Sequence, residues 1–345
     1  MPRRAVVLGG TGLVGSAAAR RLADHGWEVT AAARGEREVP AGLEERARLV
    51  RVDRADSAAL RTLLDGGADV LVDTVAFGRE DADQLIQLRD LYGSLVVISS
   101  AAVYADETGR GWEGATGPDD FPQFRVPILE RSPTVEPGQG GYASGKVELE
   151  RALLAVQGLR TTVIRPGAVY GPGDQASREW FFVKRALDGR PSVLLAYRGS
   201  SIFHPTSTHN LAELVRLAAE RPGPRILNCG DPDPPAVLEI GRAIGSSLDH
   251  EFVEVLIPGP PDGVLGDHPW GTPRPFILDM NEAEIALGYR PITRYERAVG
   301  ETCRWLVDAT RDRDWRELFP KEAQFYGKLF DYEAEDRFLE GLKGG

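Results

Sequence analysis

Two short stretches of the sequence hold groups whose types and spacing could do chemistry. Tyr142-Ala143-Ser144-Gly145-Lys146 sets a phenol and an ammonium four residues apart, so on a helix they share one face. A phenol ionises only near pH 10, at about that value when unperturbed, and a neighbouring cation favours the ionised form. The pair is therefore suited to moving a proton. Ser99-Ser100 ends an apolar run and supplies a hydroxyl that can orient a substrate oxygen beside the phenol. The expected roles are proton transfer for Tyr142, tuning and positioning for Lys146, and hydrogen bonding to a carbonyl for Ser100. Tyr-x-x-x-Lys also arises by chance as a surface pair, and it is the order of the elements that favours the chemical reading.

The second stretch is Ala5-Val6-Val7-Leu8-Gly9-Gly10-Thr11-Gly12-Leu13-Val14-Gly15. A short apolar run that ends in glycines three apart and continues as a helical pattern is how a strand feeds a helix whose N-terminus faces a diphosphate. Gly9 allows the tight turn, Gly12 lets backbone approach the diphosphate, and Gly15 lets the helix pack on the strand. Gly9, Thr11, Gly12, Leu13, Val14 and Gly15 are thus expected to touch a dinucleotide. An NAD site usually places an acid at the end of the second strand. Here Val29-Thr30-Ala31-Ala32-Ala33-Arg34 puts a small residue there, followed by a guanidinium whose forked donors suit a 2′-phosphate, with Arg37 close behind. NADP is therefore expected ahead of NAD. Asp53 is placed either to accept the adenine amino group or to cap a helix beginning near Ser57.

The elements that must position these groups alternate. Strands are predicted at Arg4–Leu8, Glu28–Ala32, Arg48–Arg51, Val70–Asp73 and Leu95–Ser99, with helices at Gly12–His25 and Glu80–Leu91. Further on, a helix at Tyr142–Gln157 precedes a strand at Thr161–Arg165, and a helix at Leu211–Glu220 precedes a strand at Arg225–Cys229. This alternation predicts an α/β fold, a Rossmann-type doubly wound parallel sheet with a smaller C-terminal substrate lobe. The core is expected over residues 1–174, with later elements around 204–230. The lobe is expected over 175–203 and 231–345. Residues 105–141, rich in Gly, Pro and acids, read as a long loop over the site. Pro166–Asp174, Pro258–Pro261 and His268–Pro275 read as turns and loops. The aromatic tail over 312–345 reads as a segment that docks rather than a disordered end.

With 41 basic and 52 acidic residues the net charge is −11, which argues against a nucleic-acid partner. Cys229 and Cys303 lack disulfide-framework or zinc spacing, and His25, His204, His209, His250 and His268 show no ligand pattern, so no metal is expected. No apolar run is long enough to span a membrane. A strand begins within four residues of the N-terminus, which leaves no room for a signal peptide, and a cytoplasmic protein is expected. Arg125, Glu130 and Arg131 in the long loop are candidates to shape the pocket, with solvated charges the default reading.

On these motifs the chain resembles the extended short-chain dehydrogenase/reductases, often called NAD-dependent epimerase/dehydratases. The likeness includes the Gly9-x-x-Gly12-x-x-Gly15 turn, Val97-Ile98-Ser99-Ser100-Ala101-Ala102-Val103-Tyr104, and the Tyr142/Lys146 pair. It continues through Arg165-Pro166-Gly167-Ala168-Val169-Tyr170-Gly171-Pro172-Gly173-Asp174 to Leu287-Gly288-Tyr289 and Trp305-Leu306. The resemblance implies that Pro166 and Ala168 meet the nicotinamide carboxamide, that Ala76 lies against the cofactor, and that the helices over 80–91 and 142–157 form a four-helix bundle in a homodimer. Two departures narrow the chemistry. Dehydratases of the family carry an Asp-Glu pair where this chain has Ala101-Ala102, which can move no proton. Its nucleotide-sugar epimerases commonly hold the diphosphate with an arginine where this chain has Phe203, with Arg198 five residues upstream. The expected function is NAD(P)-dependent interconversion of a secondary alcohol and a ketone on a small-molecule substrate. The alternatives are a nucleotide-sugar epimerase with tightly bound cofactor and a non-catalytic cofactor-binding protein.

Overall fold

The computed structural model describes residues 2–115, 117–138 and 140–343. The chain runs through β1 (Arg4–Leu8), α1 (Leu13–Asp24), β2 (Glu28–Ala33), β3 (Arg48–Arg51), α2 (Ser57–Leu63), β4 (Val70–Asp73), α3 (Gly78–Gln87) and β5 (Leu95–Ile98). It continues with α4 (Tyr142–Leu154), β6 (Thr161–Pro166), β7 (Ala168–Tyr170), α5 (Trp180–Leu187), β8 (Ser192–Leu195), β9 (Pro205–Ser207), α6 (Thr208–Glu220) and β10 (Arg225–Cys229). The remainder is α7 (Val237–Ser247), β11 (Val253–Leu256), α8 (Asn281–Leu287), α9 (Tyr295–Thr310), α10 (Trp315–Leu318), α11 (Pro320–Tyr326) and α12 (Glu333–Lys343).

One compact unit comprises Met1–Val169, Thr206–Asp231 and Leu278–Ile292. Its sheet has seven strands in the order β10-β6-β5-β4-β1-β2-β3, all parallel. Successive side chains of a strand point to opposite faces. Ala5, Val7, Val70, Val72, Val96 and Ile98 accordingly pack with Ala18 and Leu22 of α1 and Leu211 and Leu214 of α6. Val6, Leu8, Leu71, Leu95 and Val97 pack on the other face with Leu60, Leu85, Leu149 and Leu153 of α2, α3 and α4. Burial on both faces is why these strands are continuously apolar rather than alternating. Strand order reverses between β1 and β4, and the crevice beyond the carboxyl ends of those two strands is where a parallel sheet of this kind receives a ligand.

The second unit comprises Tyr170–Pro205, Pro232–Ile277 and Thr293–Gly345. It holds the parallel pair β8–β11 and the helices α5, α7 and α9 to α12. The aromatic tail packs into it as expected. Trp180 and Phe319 lie 5.5 Å apart, and Trp315 and Phe330 lie 5.1 Å apart. The buried Arg185 guanidinium donates to Glu335 at 2.5 Å and to the Leu329 carbonyl at 3.0 Å, which fixes α12 against α5. Glu179, wholly enclosed, accepts from Ser177 Oγ at 2.9 Å and from the Tyr295 hydroxyl at 3.2 Å. Burial pushes its carboxyl up to about 7, with nearby Asp174 adding to the effect. A folded-state value above the unfolded one means that stability is full at low pH and lost as pH rises through 7. Glu179→Gln should therefore flatten the fall in thermal midpoint between about pH 5 and pH 8, a fall worth on the order of 3 kcal/mol. Unchanged pH dependence of melting in the variant would contradict this.

Several elements differ from the sequence-based expectation. The helix expected over Glu80–Leu91 is α3 followed by a separate 3-10 turn at Arg89–Leu91, because the chain must bring Leu88 inward, where it is fully buried. α4 ends at Leu154 and α6 begins at Thr208, capped by the Ser207 hydroxyl. The Gly/Pro-rich stretch after β6 contains the short strand β7. Segment Leu278–Ile292, expected in the lobe, belongs to the first unit, where Ala283, Leu287 and Tyr289 pack into the core. The turn expected at His268–Pro275 carries Trp270 and His268 in fully buried positions. No helix among the described residues is long and apolar enough to cross a membrane.

Candidate active site

β5 ends at Ile98, and the following 3-10 turn, Ala101–Val103, is capped by Ser100, whose Oγ accepts from the Ala102 amide at 3.1 Å. This cap holds the Ser100 hydroxyl at the carboxyl edge of the sheet, where it favours the ionised form of Tyr142. Tyr142 opens α4, with its ring stacked on Phe77 at 6.0 Å and 48% exposed. Desolvation around the hydroxyl raises its pKa above the ordinary phenol value, the Ser100 hydroxyl opposes that rise, and the Glu113 carboxylate adds to it. Gly145 is required because Phe77 fills the space a side chain would take.

Lys146 lies one turn along α4, buried, with its ammonium 5.8 Å from the Tyr142 ring centre. It donates to the Ala76 carbonyl at 2.8 Å and to the Ile98 carbonyl at 2.9 Å, so it ties the ends of β4 and β5 to α4. Burial lowers its pKa to about 8, against the pull of Asp73, Glu150 and Asp81.

Sequence reasoning did not single out the groups that hold this arrangement. Asp73 at the end of β4 is wholly buried and accepts from the Val75 and Ala76 amides at 3.0 and 2.8 Å, which shapes the turn that presents the Ala76 carbonyl. Arg54 neutralises it at 2.9 Å and also reaches Asp81 and Gln84. On the other side, Glu150 accepts from Ser99 Oγ and from Arg165 at 3.0 and 2.5 Å. Arg165 in turn lies 4.9 Å from the ring centre of Tyr104, whose hydroxyl bonds Asn228. The two adjacent serines thus have different jobs. Ser99 anchors the strand end and Ser100 faces the phenol. Acidic and basic residues at the ends of predicted strands were the available signal, since a charge there must be paired to be buried.

The predicted cofactor residues gather around a cavity of about 510 Å³ in the first unit, lined by Gly9, Thr11, Gly12, Leu13, Val14, Arg34, Arg37 and Asp53 among others. A dinucleotide fits these residues. α1 begins with no side-chain cap and no acid in its first turn, which leaves its amides and the positive end of its dipole for a diphosphate. Gly9 has φ +76°, and a side chain at Gly15 would run into the Gly9 backbone. The alternative offered for Asp53 is corrected. Asp56 caps α2, accepting from the Ala58 and Ala59 amides, while Asp53 lines the cavity and accepts from the Ala55 amide. Arg34 is exposed and paired with Glu36 at 3.1 Å. Ala76, Pro166 and Ala168 lie at the ends of β4 and β6 and in β7, not in this cavity. Gly167 between the last two donates to Thr206 Oγ1 at 2.9 Å, which fixes that turn.

In the second unit, Arg198 is exposed in left-handed backbone, with φ 55°. Arg178 instead lies over the Phe203 ring at 5.0 Å. A larger cavity of about 630 Å³ in that unit, lined by Phe182, Leu195, His250 and Phe252 among others, contains none of these groups, and its charged pair Arg242–Glu254 is mutually satisfied.

Residues 5–230 match the profile of the family described as NAD dependent epimerase/dehydratase family. No curated protein sequence matches the chain significantly. Among solved structures, a UDP-glucose 4-epimerase aligns with TM-score 0.69 at 17% identity, over 90% of this chain and 99% of that one. The UDP-N-acetylglucosamine 4-epimerase of Methanobrevibacter ruminantium M1 aligns with TM-score 0.68 at 18% identity, over 90% and 99%. The dTDP-glucose 4,6-dehydratase of Bacillus anthracis str. Ames, in complex with NAD, aligns with TM-score 0.66 at 17% identity, over 92% and 99%. At such identities the structural likeness speaks for the fold, while the profile match covers most of the chain. The chain therefore belongs to the NAD dependent epimerase/dehydratase family and is an enzyme of that family.

Proposed function

We propose that this enzyme interconverts a secondary alcohol and a ketone on a small-molecule substrate, with NADP(H) preferred to NAD(H). The observation that carries the reading is the placing of the Ser100 hydroxyl after β5 with Tyr142 and the buried Lys146 on one face of α4, the ammonium 5.8 Å from the Tyr142 ring centre. A bound nicotinamide supplies or accepts the hydride at the carbinol carbon. Tyr142 gives a proton to the carbonyl oxygen in reduction and takes it back in oxidation, Ser100 orients that oxygen, and the Lys146 charge favours the phenolate. Ala101 and Ala102 offer no group for an elimination, so dehydration is not proposed. The test is a screen of carbonyl compounds and nucleotide sugars that follows reduced-nicotinamide absorbance. A stoichiometric change supports the reading, and product formed with no net change sinks it.

That second outcome would support epimerisation, the other reading. Arg178 favours it, because its guanidinium lies over the Phe203 ring at 5.0 Å, at the position where nucleotide-sugar epimerases of the family commonly carry the diphosphate-binding arginine.

The cofactor preference rests on Arg34, which a 2′-phosphate would draw from its exposed partner Glu36. Arg34→Ala should weaken NADPH binding by about tenfold or more and NADH binding by less than about twofold. Equal losses in a fluorescence titration would remove the assignment. A homodimer through α3 and α4 would have to be built largely from polar groups, including Arg79, Asp83 and Arg151, with half-buried Leu154, because Val147, Leu149 and Leu153 are spent in the core. The mass in solution tests it.

A further inference from the structure

The described residues of the loop over 105–141 are tied together by several contacts. Asp106 is their hub, accepting from the Thr108 and Gln123 amides at 2.9 and 3.0 Å and from Arg110. Trp112 packs edge-on against the buried Phe121 at 5.0 Å, and the Val135 amide bonds the Val103 carbonyl at 2.9 Å. Glu113, next to Trp112, is carried by these contacts to the start of α4.

There both Glu113 carboxylate oxygens accept from the Ala143 amide, at 3.1 and 3.2 Å. α4 has no cap of its own, because the residue before Tyr142 is Gly141, and a side chain at Gly141 would collide with the Glu113 carboxylate. Gly141 has extended backbone, so its lack of a side chain is explained by this approach and not by its dihedrals. A negative charge at a helix N-terminus is stabilising. At this helix it also stands beside the proposed acid–base group.

We propose that Glu113 is a positioning residue for proton transfer: reaching from the loop, it caps α4 in place of Gly141 and sets the electrostatic surroundings of the Tyr142 hydroxyl. The proposal rests on the reading of Tyr142 as the proton-transfer group. The groups around Tyr142 are Lys146 on its own helix, the Ser100 hydroxyl after β5, the uncharged Phe77 ring after β4, and Glu113 from the loop. Lys146 and Glu113 therefore oppose each other. The Glu113 carboxylate favours the phenol, whereas the Lys146 ammonium, 5.8 Å from the ring centre, by its sign favours the phenolate. With the loop seated, Tyr142 is biased toward its protonated form, the form that donates in reduction. Displacing the carboxylate leaves Lys146 unopposed.

The test is the pH titration of Tyr142 in the cofactor-free protein, read as tyrosinate absorbance with the Tyr142→Phe signal subtracted. Two variants are compared with the parent. Glu113→Gln keeps an acceptor for the Ala143 amide and removes the charge. Gly141→Ala keeps the charge and pushes it aside. Both should move the Tyr142 midpoint to lower pH, so that at a fixed pH below it the phenolate fraction rises about three- to tenfold. The oxidation rate limb should move in the same direction. A titration unchanged in Gly141→Ala overturns the proposal, even where Glu113→Gln fails to fold. If Tyr142→Phe retains full turnover, the catalytic reading falls, and the titration still decides whether Glu113 acts on Tyr142.

Discussion

Replacing Tyr142 by Phe is expected to lower turnover by roughly a hundred- to ten-thousandfold, the usual worth of a positioned proton donor. The variant loses one oxygen and keeps the ring, so its stacking on Phe77 and the start of α4 persist. The cofactor cavity is lined by residues of β1, α1, β2 and α3 and of the turns after β1 to β4, and Tyr142 is not among them. The dissociation constant of the reduced cofactor should therefore change by less than about twofold, against an uncertainty of that size in most titrations. Turnover within a factor of two or so of the parent would end the acid–base assignment. The pH dependence adds a check. Burial raises the Tyr142 pKa and lowers that of Lys146 to about 8. In the oxidation direction the rate should climb with pH as phenolate forms, then flatten as Lys146 loses its charge above about 8. A profile flat throughout would mean that neither group takes part.

The second large effect is on stability. Glu150 and Arg165 are each 3% exposed and form a two-point ion pair between α4 and β6. Glu150→Ala leaves the guanidinium buried and unpaired, which is expected to cost about 3–5 kcal/mol. That is a large share of the roughly 5–15 kcal/mol that holds an ordinary domain together, so the thermal midpoint should fall steeply. Glu150→Leu combined with Arg165→Met removes both charges and should recover most of the loss, since apolar replacements of a buried pair are near neutral. The double variant should still be slow, because Ser99 loses its acceptor and Ser100 next to it loses its fixed position. A double variant as unstable as the single one would show that packing, and not the unpaired charge, sets the cost.

Much of the first unit could be read from local pattern. Short apolar runs of β-branched residues separated by helical periodicity give a parallel sheet whatever the rest of the chain does, because only burial on both faces accommodates them. The glycine turn after β1 was equally legible, since its spacing reflects backbone clearances within fifteen residues. Tyr142 and Lys146 were legible because one helix carries both. Ser100 was legible because it follows β5 directly.

What lay outside the sequence pattern is long-range pairing. Nothing local says that Glu113 meets Ala143, that Asp73 meets Arg54, or that Glu150 serves Ser99 and Arg165 together. Asp53 could be read from sequence as the cap of α2, and only the path of the chain shows that Asp56 takes that place. Leu278–Ile292 was expected with the lobe, and its place in the first unit is decided by where Leu287 and Tyr289 can be buried.

By itself, then, the sequence determined the sheet, the glycine turn and the three residues proposed to handle the proton, since each follows from spacing along one element. The tertiary structure decided which charges surround them. Electrostatic surroundings are summed over groups brought together from β4, β5, α4 and the long loop, and that sum has no counterpart in the order of residues along the chain.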